Sequence, residues 1–352
     1  LLIVIIIFII EIIFGNWLFQ NKLNKLNLIR NQVIDYNVEN IYDTKNKIIT
    51  YTRDEFGFRG YYDDISKIDI VSVGGSTTDQ RYISDEHTFQ EILKKEFLKN
   101  KQLKINIINA GVDGQSTYGH IYNFNYWFNN IENFKTKYFL FFIGNNDFYV
   151  DSTHTYDELI DTKSISLLRK IRFEVKTKSI IYYLYRVIIG NYISRKIGLN
   201  HNLNYKIIHN TDSWDDKGLL SDYETIMTKR LISYENRLEK LLSKVAEFEA
   251  EAIFVTQSRR GLYDFKNQIL IGKSNLEFYD KTQYNGVDYY HMSRLLNDIT
   301  KKIAHKNNVI FLDLDNEIEF DIQRDFYDTD HHTPSGARKI GIYLYEKLKD
   351  KF

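Results

Sequence analysis

"KIDIVSVGGSTTD", residues 67–79, sets an apolar run directly before two glycines and a cluster of small hydroxyl residues. A short continuous apolar run closed by glycine reads as a strand buried on both faces, because it lacks the alternating polar residues of a half-exposed one. The glycines let the backbone turn sharply. Ser76 then falls where the next helix opens, with its oxygen near the positive end of the helix dipole. Taken alone, a serine in such a place is more often a turn or capping residue than a nucleophile.

Outward from this stretch the same rhythm recurs. "KINIINAG" (104–111), "KYFLFFIGNND" (137–147), "AEAIFVTQ" (250–257) and "VIFLDLD" (309–315) read as four further strands. Between and after them, residues 87–100, 223–248, 289–308 and 337–350 place apolar side chains at three and four spacing, as amphipathic helices do. Strands alternating with helices predict an α/β domain with a parallel five-stranded sheet covered on both faces. Residues 150–222 break the rhythm and read as a helical insertion; its aromatic, basic "KSIIYYLYRVIIGNYISRKIG" suits a lid, a substrate wall or a membrane-lying surface, with packing on the domain as the plainer role.

Composition excludes several classes of function. The 352 residues carry 47 basic and 47 acidic side chains, so no global field draws the chain to nucleic acid or to an anionic surface. The absence of cysteine removes disulfides, thiolate catalysis and cysteine-ligated zinc. "LLIVIIIFIIEIIFGNWLF", residues 1–19, is apolar except for Glu11 and Asn16, and its length approaches the roughly 20 residues that span a bilayer. It reads as a retained single-pass transmembrane anchor, with a juxtamembrane linker over 20–50 and a domain over 51–352 behind it. Lys22, Lys25 and Arg30 directly after the run weigh against export of that domain.

In a parallel sheet ligands bind beyond the carboxyl ends of the strands, so those ends are read together. The first supplies Gly74, Gly75, Ser76, Thr77 and Thr78. The second supplies "NAGVDGQST", in which either Gly111 or Gly114 can turn a backbone N–H toward an anion, and the third supplies Asn146, whose amide can do the same. A base comes from "YDTDHHTPSGARKIG" (327–341), where Asp328 stands three residues before His331, close enough for the carboxylate to hold one imidazole nitrogen while the other faces the serine. Thr333 as N-cap and Pro334 at the first helical position would start the closing helix and pin His331 in the loop ahead of it. Asp330 and His332 are competing neighbours, and the four together could gather a metal. No second histidine motif with ligand spacing accompanies them, so neither metal nor cofactor is expected.

In this order the blocks resemble those of the SGNH subgroup of the GDSL-type serine hydrolases, over about residues 51–348. The first block appears as "GGSTT" in place of the usual GDS, a variant that resembles bacterial members acting on acylated carbohydrates, and "DEFGFRG" (54–60) is similar to a segment found ahead of the nucleophile strand in membrane-anchored members. The resemblance implies a flavodoxin-like three-layer α/β/α domain. It implies Ser76 as nucleophile, His331 as base and Asp328 as its orienting partner, with an oxyanion hole from the N–H of Ser76, the N–H of Gly114 and the side chain of Asn146. It also selects Gly114 over Gly111, because the family's block glycine precedes a polar residue as "GQST" does here.

The expected reaction is hydrolysis of an ester, an O-acetyl group on a cell-envelope carbohydrate, by an extracytoplasmic domain held at the membrane through residues 1–19. An O-acyltransferase or a lipid esterase would use the same serine. A membrane-tethered glycan-binding or assembly protein that has kept the fold would not need it.

Overall fold

In the computed structural model of the chain, the residues described are 2–18, 23, 28–149, 167–185, 188–189, 213–278 and 281–352. The strands are β1 (Gln32–Asn37), β2 (Ile48–Arg53), β3 (Ile68–Gly74), β4 (Ile107–Gly111), β5 (Thr136–Phe142), β6 (Trp214–Asp215), β7 (Glu251–Val255), β8 (Tyr263–Lys266), β9 (Ile269–Lys273), β10 (Leu276–Glu277), β11 (Gln283–Tyr284) and β12 (Ile310–Leu312). The helices needed below are α1 (Leu2–Phe14), α2 (Ser76–Asp79), α3 (Phe89–Lys101), α4 (Thr117–Tyr126), α5 (Leu167–Lys178), α6 (Tyr223–Ala246), α7 (Gly286–Lys306) and α8 (Pro334–Leu348).

The central sheet has five strands in the order β4-β3-β5-β7-β12, all parallel. Counted in chain order this is 2-1-3-4-5, the doubly wound flavodoxin-like arrangement that the resemblance implies, and the parallel sheet is the one that the alternation of elements predicts. Side chains on each strand alternate between two cores. Val71, Val73, Phe139, Phe141 and Phe254 join the layer of α4, α6 and α7. Ile70, Leu140, Phe142, Ile253 and Val255 face the layer of α3 and α8. Burial on both faces explains why these strands read as continuous apolar runs, and each wholly buried Leu, Val or Phe contributes about 1.5–3 kcal/mol. The register aligns Gly74 with both Gly111 and Phe142, and Phe142 with Val255, so four strands end at one level and deliver their following loops to one place.

Two readings change, and a third is not shown. The stretch expected as a linker over 20–50 is in part structure: β1 pairs antiparallel with β2, and Val38, Ile41, Tyr42, Ile49 and Tyr51 form a small core with Tyr327. The contact with Tyr327 that helps this hairpin cohere is long-range, and the weak periodicity of the stretch does not reveal it. The anchor read over 1–19 is helical over the 13 residues of α1, about 20 Å at 1.5 Å per residue, and turns at Gly15. Among the described residues no helix is long and apolar enough to cross a membrane. The insertion over 150–222 contains α5 and a further helical stretch over 180–185, and it ends in β6, which pairs with β9 beside β8. The rest of that insertion lies outside the described residues.

Candidate active site

Ser76 is the first residue of α2, and Gly75 is its N-cap. Being first, its backbone N–H has no carbonyl one turn back to accept it. Both preceding glycines are required by close approach: a Cβ on Gly74 would lie 2.1 Å from Thr78 Oγ1, and one on Gly75 would lie 2.5 Å from Asn146 Nδ2. The second figure also places the Asn146 amide over the residue next to the serine. That amide donates to Gln115 O at 2.8 Å, which leaves its second N–H available.

The two candidate glycines of the second strand end differ in use. A Cβ on Gly111 would meet Asp79 N at 2.3 Å, so Gly111 is needed for packing against α2. Gly114 has φ +73°, in the left-handed region that favours glycine, with open space where its Cβ would be.

The far end of the chain meets this point. His331 Nε2 lies 2.7 Å from Ser76 Oγ, and His331 Nδ1 lies 2.7 Å from Asp328 Oδ2. The other carboxylate oxygen of Asp328 accepts from the backbone N–H groups of His331 at 2.8 Å and Asp330 at 3.0 Å. A carboxylate can only accept, so in the neutral imidazole it holds the proton on Nδ1 and leaves the Nε2 lone pair for the serine hydroxyl. Thr333 caps α8 by accepting from Gly336 N, and Pro334 opens the helix. Tyr327 stacks on the imidazole at an interplanar angle of 9°. The competing His332 points elsewhere: its ring packs against Phe326 and Phe320, and burial pushes its pKa down to about 4. Ligand-type atoms of Asp328, Asp330 and His331 do approach one another, but both imidazole nitrogens are already engaged by protein partners.

No family model and no curated protein matches this chain. Solved structures of similar architecture include a lipolytic protein of the G-D-S-L family from Veillonella parvula, at 14% identity and a TM-score of 0.42, covering 79% of this chain and 97% of that one. Another is a lipase/acylhydrolase from Enterococcus faecalis, at 11% identity and a TM-score of 0.43, covering 81% and 97%. A third is an acetyl xylan esterase from Geobacillus stearothermophilus, at 12% identity and a TM-score of 0.41, covering 80% and 96%.

Asp330 gives the site a second carboxylate, 3.7 Å from His331 Nδ1. Burial opposes its charge, yet Arg259 at 3.5 Å, together with His331 and the Thr329 hydroxyl, outweighs that and holds its pKa at about 2. For His331, burial disfavours the charged ring, but Asp330 and then Asp328 outweigh it and raise the pKa to about 9. The folded pKa lies above the ordinary value of about 6.5. The stability this group contributes is therefore complete below about pH 6.5 and is lost as pH rises toward 9. A general base must be neutral, so kcat/KM is expected to rise with pH over the same window. Replacing Asp330 with Asn removes a carboxylate from the imidazole and moves that rising limb to lower pH, which a pH profile of ester hydrolysis by the two proteins measures. A limb that stays in place would sink this assignment.

Beneath the serine lies an ionic cluster that sequence patterns did not reveal. Arg53 donates to Asp79 Oδ1 at 2.5 Å, to Gly111 O at 2.6 Å and to Gly57 O at 2.7 Å, and Tyr51 Oη donates to the same Asp79 oxygen at 2.9 Å. Arg59 donates to the carbonyls of Asp79 and Gln80 at 2.7 Å each, to that of Ile83, and to Asp85 Oδ1 at 2.6 Å. The Asp79 carbonyl is the last of α2, so Arg59 through that carbonyl and Arg53 through the Asp79 carboxylate brace the turn that carries Ser76. Asp147, next to Asn146, is fixed similarly. It accepts from Thr117 Oγ1 at 2.5 Å and from Arg237 at 3.1 Å, tying the third strand end to α4 and α6. Arg259 itself lies just past β7, at a fourth strand end, "TQSRR" (256–260), where the rule that located the other loops would have found it.

Proposed function

We propose that this chain is a serine esterase of the SGNH/GDSL type that removes an acyl group, O-acetyl, from a cell-envelope carbohydrate. The observation that carries this reading is the unbroken line from Asp328 through His331 to Ser76, with 2.7 Å at each step. His331 Nε2 takes the proton of Ser76 Oγ as the oxygen attacks the ester carbonyl. The carbonyl oxygen becomes an oxyanion among the N–H of Ser76, the N–H of Gly114 and the amide of Asn146. Collapse of this intermediate breaks the ester C–O bond, and the departing sugar oxygen takes the proton from His331. Water, deprotonated by the same imidazole, then attacks the acyl-serine; the acyl–Oγ bond breaks, Ser76 Oγ takes the proton back from His331, and the acid leaves.

The "GGSTT" form of the first block and the apolar run 1–19 support a carbohydrate substrate met at the membrane. Attachment through residues 1–19 belongs to the same reading. The test is incubation with an O-acetylated glycan while following acetate and any acetylated acceptor; acceptor acetylated faster than acetate appears would replace hydrolysis by transfer. Asn146→Ala removes one oxyanion donor and is expected to lower kcat about 10²–10³-fold with little change in KM. A fall of less than about threefold would remove Asn146 from the hole.

A further inference from the structure

Exposed apolar side chains concentrate in two segments that are remote in sequence. None of α1 is buried, and Leu2 and Ile3 each keep 72% of their surface exposed. The other segment is 167–185, where Leu167, Leu168, Ile171, Leu184 and Tyr185 are exposed. Contiguous apolar surface of this kind marks a contact with something other than water.

The two segments are joined through Glu11, the one charge in the N-terminal run. Its Oε1 accepts from Ser179 Oγ at 2.5 Å and from Ile181 N at 3.2 Å, and its Oε2 accepts from Ile180 N at 3.3 Å and Trp17 Nε1 at 2.7 Å. Asn16 N donates to Lys178 O at 2.8 Å, and the Lys178 ammonium sits 5.9 Å from the Trp17 ring. A carboxylate in an apolar run is costly beside lipid unless it is paired, and here it caps the first N–H groups of the 180–185 helical stretch.

Charge identifies the partner. Residues 167–185 contain five Lys or Arg against one Glu, in a chain whose total charge is balanced. Basic residues interleaved with exposed aliphatic and tyrosine side chains suit the headgroup region of an anionic bilayer. We propose that residues 167–185 lie on an anionic lipid surface beside α1, the two forming one membrane-contacting face latched by Glu11. This rests on the reading of residues 1–19 as membrane-attached.

The chain has no cysteine, so single-cysteine variants report position without further engineering. The full chain is placed in phosphatidylcholine/phosphatidylglycerol nanodiscs with an environment-sensitive fluorophore at Ile5→Cys, Leu184→Cys or Leu98→Cys, the last an exposed position on α3. The expected result is a blue shift and quenching by acyl-brominated lipid at 5 and 184, none at 98, and a weaker effect at 184 in pure phosphatidylcholine. Adding Glu11→Gln is expected to reduce quenching at 184 while leaving position 5 unchanged. A label at 184 that stays aqueous while position 5 is lipid-buried overturns the proposal and leaves the anchor standing; both aqueous overturns both. A blue shift at 184 without lipid quenching means a second protein copy covers the face, which also overturns it. Unchanged quenching at 184 in the Glu11→Gln protein overturns the latch.

Discussion

Ser76→Ala is expected to abolish ester hydrolysis, with kcat falling about 10⁴–10⁶-fold, while the protein stays folded. Only the hydroxyl is removed, and its one side-chain partner among the described residues is the imidazole of His331 at 2.7 Å. Loss of one partly buried hydrogen bond costs about 0.5–1.5 kcal/mol, so the effect on stability is small beside the effect on rate. The measurement is initial rate on an acetyl ester together with labelling by a fluorophosphonate probe, and unfolding of both proteins by circular dichroism. Labelling that survives the substitution, or activity within about tenfold of the parent, would remove Ser76 from the chemistry and favour a binding role for the fold.

Asp79→Ala is expected to cost about 3–5 kcal/mol of stability, because it leaves Arg53 buried and charged without its carboxylate. The side chains of this pair are 4% and 2% exposed, so solvent cannot replace the lost partner. Activity should fall as well, since Arg53 also holds the Gly111 carbonyl and Asp79 ends the helical turn begun by Ser76. Guanidinium unfolding in detergent gives the stability difference. The double variant Asp79→Ala, Arg53→Met is expected to recover part of the loss, because it removes the stranded charge. If the single variant unfolds at the parent's midpoint, the cluster is not what holds the turn.

Local patterns carried much of the fold. The spacing of apolar residues depends only on neighbours two to four positions away, so β3, β5 and β7 and the helices α3, α6 and α7 could be read from it within a few residues of their observed ends. Capping is equally local: Thr333 and Pro334 announce the start of α8 from their own chemistry. The candidate site was legible in outline for the same reason. Strand ends are where glycines and small polar residues collect, and Asp328 and His331 share one turn of chain.

What the sequence by itself determined is the alternation of strand and helix, the loops in which chemistry can sit, and the residue types that those loops carry. Only the tertiary structure decided which of these meet. Ser76 and His331 are 255 residues apart, and their contact follows from a register that ends four strands at one level. The same is true of Arg53 with Asp79, of Arg259 with Asp330, of the hairpin built from what reads as a linker, and of Glu11 with the insertion. A charge pattern leaves no periodic trace when its partner lies tens or hundreds of residues away. Its partner is set by the path of the whole chain, and burial in that path is what gives the pairing its strength.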